Sequence, residues 1–386
     1  MRPLNRRPSF TLDRTASDAK LAEIISELRA LPAIKAKRAI RHAAALLPTT
    51  TPADLSARYA QPGDDCAALP CVDGYQLLAM EGMLPDFVAN DPQAAGWSSV
   101  MVNVSDIAAM GGRATAIVNA FWHHDDDASQ TLLHHIKRAC DVFGLHFAGG
   151  HSSVHEGHTP GLAVAITGYA RTLLSCHHLR PGQRLFILTD LNGSWHGDLP
   201  YWGCVGGKSP EQIAERGLAV AAKDISNGGI LGTLIMMLEL TGCGAALDLN
   251  AIPRPPGDIT RWLQAFQSFG FLLAVEAEQV TPLIQFLQHS HLSCTPVGSI
   301  NDSASIELDY GGSRGIFWDL KSEQLTNMGG THARSQFHSE LARWRNPCVL
   351  LAVDHYSPAF TCGRPLQPNR ICRAMPTHHG PSFRAS

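Results

Sequence analysis

At 386 residues, 45% hydrophobic and 17% charged, the chain has the length and balance of two ordinary globular domains, each with its own core. A net charge of −3 supplies no sequence-wide basic field for nucleic acid or an anionic membrane surface. No run reaches the roughly 18 apolar residues needed to span a bilayer, and no apolar stretch follows the N-terminal arginines as in a secretory signal. The expectation is a cytoplasmic protein with neither nucleic acid nor membrane as partner. Ten cysteines without a CxxC pair read as reduced, mostly buried thiols and exclude a zinc ribbon.

Residues 1–62 contain neither Gly nor Cys and form an N-terminal helical extension. Apolar residues at Leu21, Ile24, Ile25, Leu28 and Leu31, then Ile34, Ile40 and Ala44, predict two helices broken near Pro32. From Gly63 the short apolar runs Tyr75–Met80, Ala116–Phe121 and Leu162–Gly168 alternate with helical segments, which makes 63–172 an α/β (or α+β) domain. Asp91-Pro92 supplies an N-cap and a Pro at the first helical position, and Gly111-Gly112 a stop, so a helix is predicted from Pro92 to Met110. Asn103 and Asp106, three apart, share one face of it and sit among apolar neighbours, so a sheltered carboxylate with partners is expected rather than a solvated one.

Arg180-Pro181-Gly182 marks a boundary, after which Arg184–Thr189 reads as a buried strand opening a second α/β domain, 181–320. There Lys223-Asp224-Ile225-Ser226-Asn227-Gly228-Gly229 leads into a helix over Ile230–Leu240, closed by Gly242. Such a loop can hold an anion through backbone N–H groups or a metal through side chains. Beyond Leu320 the composition turns to His, Arg, Pro and Ser, predicting an irregular tail over 321–386 with one short helix around Ser335–Trp344; an altered reading frame would look the same.

Several constellations carry chemistry. Gly63-Asp64-Asp65 places two carboxylates ahead of the first strand, and hard oxygens suit magnesium, although Gly-Asp-Asp also makes ordinary turns. Glu81 follows the Tyr75–Met80 run, either as a ligand or as a strand-end charge facing water. In Gly149-Gly150-His151-Ser152 the glycines allow close backbone approach to phosphate, while His151 is equally readable as a turn histidine. Lys35 and Lys37 are phosphate contacts or exposed helix lysines. His123 to Asp127 and His134-His135 lack transition-metal spacing and read as polar surface.

Taken in order, these motifs resemble the PurM-like superfamily of aminoimidazole ribonucleotide synthetase, thiamine-monophosphate kinase, selenophosphate synthetase and the hydrogenase-maturation dehydratase. Gly63–Ala68 is similar to the "GDDAA" segment, Glu81 stands at the Asp of a "T-D" strand end, and Asn103–Gly112 resembles the "N-x-S-D-x-A-A-M-G-G" helix. Ala148–Ser152 resembles the "A-G-G-H-S" turn, and Asp224 and Asn227 match the "M-D-V-S-D-G" motif. The likeness spans about residues 63–318. It implies a two-domain PurM-like architecture, ATP and Mg2+ as cofactors, and a homodimer joined through strands of the first domain. It implies Asp64, Asp65, Glu81 and Asp106 as metal ligands, with Asp64, Asp106 and Asp224 catalytic. Asp65, Asn103, Gly149, Gly150, His151, Ser152 and Asn227 would contact the nucleotide. The implied activity is Mg-ATP-dependent phosphoryl transfer to, or phosphate activation of, a small-molecule substrate. Alternatives are a cyclising or dehydrating synthetase and a catalytically silent nucleotide-binding partner, the latter suggested by Glu81, His151 and Asn227 standing where carboxylates of other lengths or kinds are usual. The absence of Cys and Gly upstream of Gly63 disfavours selenophosphate synthesis.

Overall fold

The computed structural model describes residues 14–47, 62–190, 195–196, 199–200, 210–266, 270–288, 290 and 292–329. The helix expected at Ser335–Trp344 lies outside the described residues. Helix α1 (Arg14–Ala30) ends just before Pro32, which opens the short α2 (Pro32–Ala36); a 3-10 turn (Lys37–Ala39) and α3 (Ile40–Ala44) follow. Pro cannot donate to the preceding turn but suits the first position of a new helix, so the chain bends there.

In the first domain β1 (Ala67–Cys71) and β2 (Gly74–Met83) form a hairpin, followed by α4 (Pro85–Asn90) and α5 (Pro92–Ala109). Then come β3 (Arg113–His123), α6 (Asp126–Phe143), β4 (His146–Val154) and β5 (Gly161–Ala170). The sheet order is β1-β2-β5-β3-β4, and within it only β3 and β4 run parallel, as the α6 crossover between them requires. The Asp91 carboxylate caps α5 by accepting from Ala94 N–H at 2.9 Å. Helix α5 buries Trp97, Val100, Met101 and Ile107 against Leu77, Ile117, Phe121, Val164 and Ile166 of the sheet, while α6 adds Leu132, Ile136 and Ala139. His123, expected on a polar surface, is instead buried on the inner face at the end of β3, with its Nδ1 accepting from Asp125 N–H at 2.9 Å.

The second domain contains β6 (Arg184–Thr189), a small ribbon of β7 (Trp195–His196) and β8 (Leu199–Pro200), α7 (Pro210–Glu215), β9 (Ala221–Asp224) and α8 (Gly229–Glu239). It continues through β10 (Gly244–Asp248), α9 (Ile259–Leu263), β11 (Gly270–Val275), α10 (Val280–Leu287), β12 (Ser293–Asn301), β13 (Ser305–Tyr310) and β14 (Ser313–Asp319). Seven strands order as β14-β13-β10-β12-β6-β11-β9. Helix α8 is apolar on nearly every side because it lies between this sheet and the N-terminal helices.

Leu21, Ile24, Leu28 and Ile34 of the N-terminal segment are fully part of the second domain's core, beside Leu231, Leu234, Phe317 and Trp318. Arg29 donates to Phe317 O at 2.7 Å and stacks over the Trp318 ring, and Arg41 Nε donates to Leu325 O at 3.0 Å. Residues 321–329, expected to belong to the tail, are instead ordered on the second domain: Leu325 is buried, and the Glu239 carboxylate accepts from Thr326 N–H at 2.9 Å and Asn327 N–H at 2.8 Å. Sequence composition misses this because one apolar residue and a buried carboxylate acceptor leave no periodic signal. Among the described residues no helix is long and apolar enough to cross a membrane. Cys66, Cys140, Cys176 and Cys243 are buried free thiols, whereas Cys71 is exposed.

Candidate functional site

Three stretches far apart in sequence deliver carboxylates to one place. Asp65 lies in the segment leading into β1, Asp106 in the last turn of α5, and Asp224 at the end of β9. One oxygen from each lies within 4.8 Å of the others. The two domains meet here because Ala108 and Ala109, just past Asp106, pack against Leu174, Ile213 and Ala214 and bring the end of α5 to β9. Asp65 is fixed across the junction: one oxygen accepts from Asp224 N–H at 2.9 Å and the other from Lys223 Nζ at 2.5 Å.

Electrostatics mark the cluster as short of positive charge. Burial, then the carboxylates of Asp224, Asp65 and Glu81, push the Asp106 carboxyl well above the ordinary range, with Lys223 opposing. Asp106 also sits at the C-terminal, electronegative end of α5, where a carboxylate is disfavoured. Burial and then Asp65 push Asp224 up to about 7, against Ser105, Lys223 and Lys37. The Ser105 hydroxyl stands beside Asp224 yet lacks a well-formed hydrogen bond. For Lys223, burial works against the charge, but the neighbouring Asp65 outweighs it and raises the pKa.

Two further side chains border the cluster. Lys37, on the 3-10 turn of the N-terminal segment, donates to Ser226 Oγ at 3.2 Å; burial and then Lys223 hold its pKa below the usual lysine range, opposed by Asp224, Asp65 and Glu81. Its stem passes Gly228, where a Cβ would come within 3.2 Å of Lys37 Cε and where φ is +104°, so the loop needs glycine. Glu81 on β2 is on the open rim; burial of its carboxyl raises its pKa, Lys37 lowers it, and Asp65 raises it.

The remaining expected residues fall elsewhere. Asp64, neighbour to Asp65, points away: its oxygens accept from Ser175 Oγ at 2.5 Å and Cys176 N–H at 2.8 Å, tying the segment to the connection between the two domains. Asn103 does not join Asp106 in the cluster; its amide donates to Ser99 O at 2.7 Å and Val164 O at 3.1 Å, pinning α5 to β5, while Oδ1 is buried without a partner. Gly149, Gly150, His151 and Ser152 lie exposed on the edge strand β4, paired to β3, with the His151 ring 5.9 Å from that of Trp122. A Cβ at Gly150 would meet Asn119 O at 2.1 Å, so this glycine serves strand packing. Asn227 is exposed in the loop after Asp224. Lys223 carried no role in the motif analysis, although a lysine inside the buried strand Ala221–Asp224 signals a paired charge.

The donor set is all hard oxygen, and four carboxylates facing two ammonium groups leave two negative charges when all are ionised. That chemistry fits one hard divalent cation such as Mg2+.

Fold and site together define a two-domain protein of the PurM-like class. Residues 63–171 match the AIR synthase related protein N-terminal domain and 208–311 the C-terminal domain of the same family. The chain belongs to the AIR synthase-related family. It is 39% identical over 280 residues to the uncharacterized protein sll0787 of Synechocystis, covering 69% of this chain and 87% of that one. It is 28% identical over 204 residues to thiamine-monophosphate kinase of Halobacterium salinarum, covering 50% and 69% of the two chains. Among solved structures, "AaThiL complexed with AMPPCP and TMP" superposes with a TM-score of 0.51 at 18% identity, over 65% of this chain and 88% of its own. "T. maritima PurL complexed with ATP" does so with a TM-score of 0.61 at 17% identity, over 81% and 55%. At such identities these structures speak for the fold.

Proposed function

We propose that the protein uses Mg-ATP to transfer a phosphoryl group to a small-molecule substrate, or to activate it as a phosphate. The observation that carries this reading is the convergence of Asp65, Asp106 and Asp224 within 4.8 Å at the domain junction, beside Lys37 and Lys223. Kinship with thiamine-monophosphate kinase and selenide, water dikinase supports it. Bound Mg2+ would supply charge neutralisation of the phosphate oxygens.

The chain's own residues would do the rest. Asp106 and Asp224, together with Asp65, would hold the cation, with Glu81 at the rim. Lys37 would contact phosphate from the open side, since its ammonium is already positioned by Ser226 and, among the described residues, donates to no carboxylate. Asp64 would act as a positioning residue, orienting Asp65 by anchoring the shared segment to Ser175 and Cys176. Catalysis of this kind rests on alignment and electrostatics, and no activated Ser or Cys is required. The glycine turn on β4 and the Asn227 loop would complete the nucleotide contacts.

A homodimer fits the outer face of the first sheet. Met80, Ala165 and Val118 stand opposite one another across β2, β5 and β3, with exposed Leu78 and Trp122 on the same face. Such an apolar row on a sheet face calls for a cover.

The test is Mg-ATP binding by calorimetry. Wild type should bind, and Asp106→Ala should bind at least about tenfold more weakly, as loss of a metal-site residue typically costs. Equal binding by the two proteins would overturn the assignment; where Asp106→Ala binds more weakly, a substrate screen distinguishes transfer, which leaves a phosphorylated product, from activation, which releases free phosphate.

A further inference from the structure

Lys223 is an unusual neighbour for a metal site. It is 4% exposed and lies on the strand that also carries Asp224. Its ammonium sits 2.5 Å from an oxygen of Asp65 and 3.4 Å from the Gly63 carbonyl, two oxygens of the type that would ligate a hard cation. The other Asp65 oxygen is held by Asp224 N–H. Asp65 thus has one position already filled by a positive charge belonging to the protein, whereas among the described residues no hydrogen bond reaches the Asp106 carboxylate.

We propose that the Lys223 ammonium is a built-in cation, standing on Asp65 where a second divalent ion would otherwise bind, so that the cluster takes up one divalent cation rather than two. Charge supports the count. The four carboxylates and two ammonium groups leave two negative charges, which one divalent ion cancels; a second would leave a buried positive excess. Geometry supports it too. An ammonium is a compact point charge on a long flexible stem, and it occupies the Asp65 oxygen at a contact distance that a metal could reach only by displacing it. Lys223 is accordingly a specificity-determining residue for metal stoichiometry rather than a group that touches substrate.

This inference rests on the metal-binding reading proposed above, and the experiment separates the two. Mn2+ is titrated into the full-length protein without nucleotide, and bound ion is counted by electron paramagnetic resonance. Wild type should bind one Mn2+ per chain at the cluster. Lys223→Met, which keeps the stem and removes the charge, should bind two. Two ions in wild type, or one in a folded Lys223→Met protein, would overturn the proposal while leaving the metal site intact. No bound Mn2+ in wild type would remove the metal site itself. Should Lys223→Met fail to fold, Lys223→Gln carries the same expectation, and the wild-type count decides by itself.

Discussion

Asp106→Asn should weaken the dependence of the protein's stability on pH and on magnesium, with Asp224, held up at about 7, left as the titrating carboxyl of the cluster. At an effective dielectric of about 20, a like charge 4.8 Å away costs about 3.5 kcal/mol. Burial adds to this for Asp106, beside Asp65 and Asp224. The metal-free folded protein therefore holds the Asp106 proton to higher pH than the unfolded chain, whose carboxyl keeps the ordinary value of 3.8. The folded-state pKa is therefore above the unfolded one. Stability is full below the unfolded value and is lost as pH rises toward the folded value, at up to about 1.4 kcal/mol per pH unit. Asn keeps the shape but does not titrate. Its amide is itself buried and costs about 1–3 kcal/mol if unpaired, so the informative quantity is the slope with pH rather than the difference at one pH. Urea unfolding in EDTA between about pH 5 and pH 8 should show wild type losing stability relative to Asp106→Asn as pH rises. Millimolar magnesium should restore wild type and stabilise the variant much less. Parallel pH dependence of the two proteins, or equal stabilisation by magnesium, would refute the reasoning.

Asp64→Ala should destabilise the fold by about 2–4 kcal/mol, because it strands the buried Ser175 hydroxyl and Cys176 N–H, while Mn2+ affinity changes far less than in Asp106→Ala. Denaturation together with a Mn2+ titration checks both halves, and the reverse ranking would make Asp64 a ligand. Lys37→Ala should leave the unfolding midpoint nearly unchanged and weaken Mg-ATP binding about tenfold, the scale of one charge-assisted contact, as measured by calorimetry. Met80→Lys should convert a dimer to a monomer in light scattering, since it sets a charge into the row shared with Ala165 and Val118. A variant that stays dimeric would move the interface elsewhere.

Local order was legible in the chain itself. Asp91-Pro92 and Gly111-Gly112 bracket α5 to within a residue of its observed ends, because a cap and a stop act through neighbours in sequence. Arg184–Thr189 is the strand its apolar run predicts, and Pro32 breaks the N-terminal helices as its missing N–H requires. The motifs also singled out Asp65, Asp106 and Asp224, whose oxygens the fold brings within 4.8 Å of one another. What a motif cannot state is direction. Asp64 and Asp65 are adjacent residues of one type, yet only packing of the 63–66 segment between Ser175 and β9 turns one toward a capping role and the other toward the cluster. Lys37 and Lys223 become part of the site for the same reason. Their charges matter only where burial strips away water and sets them beside carboxylates contributed by distant stretches of chain. Identity of residues is written locally, but the electrostatic balance of a buried site is a sum over neighbours that only the tertiary fold assembles.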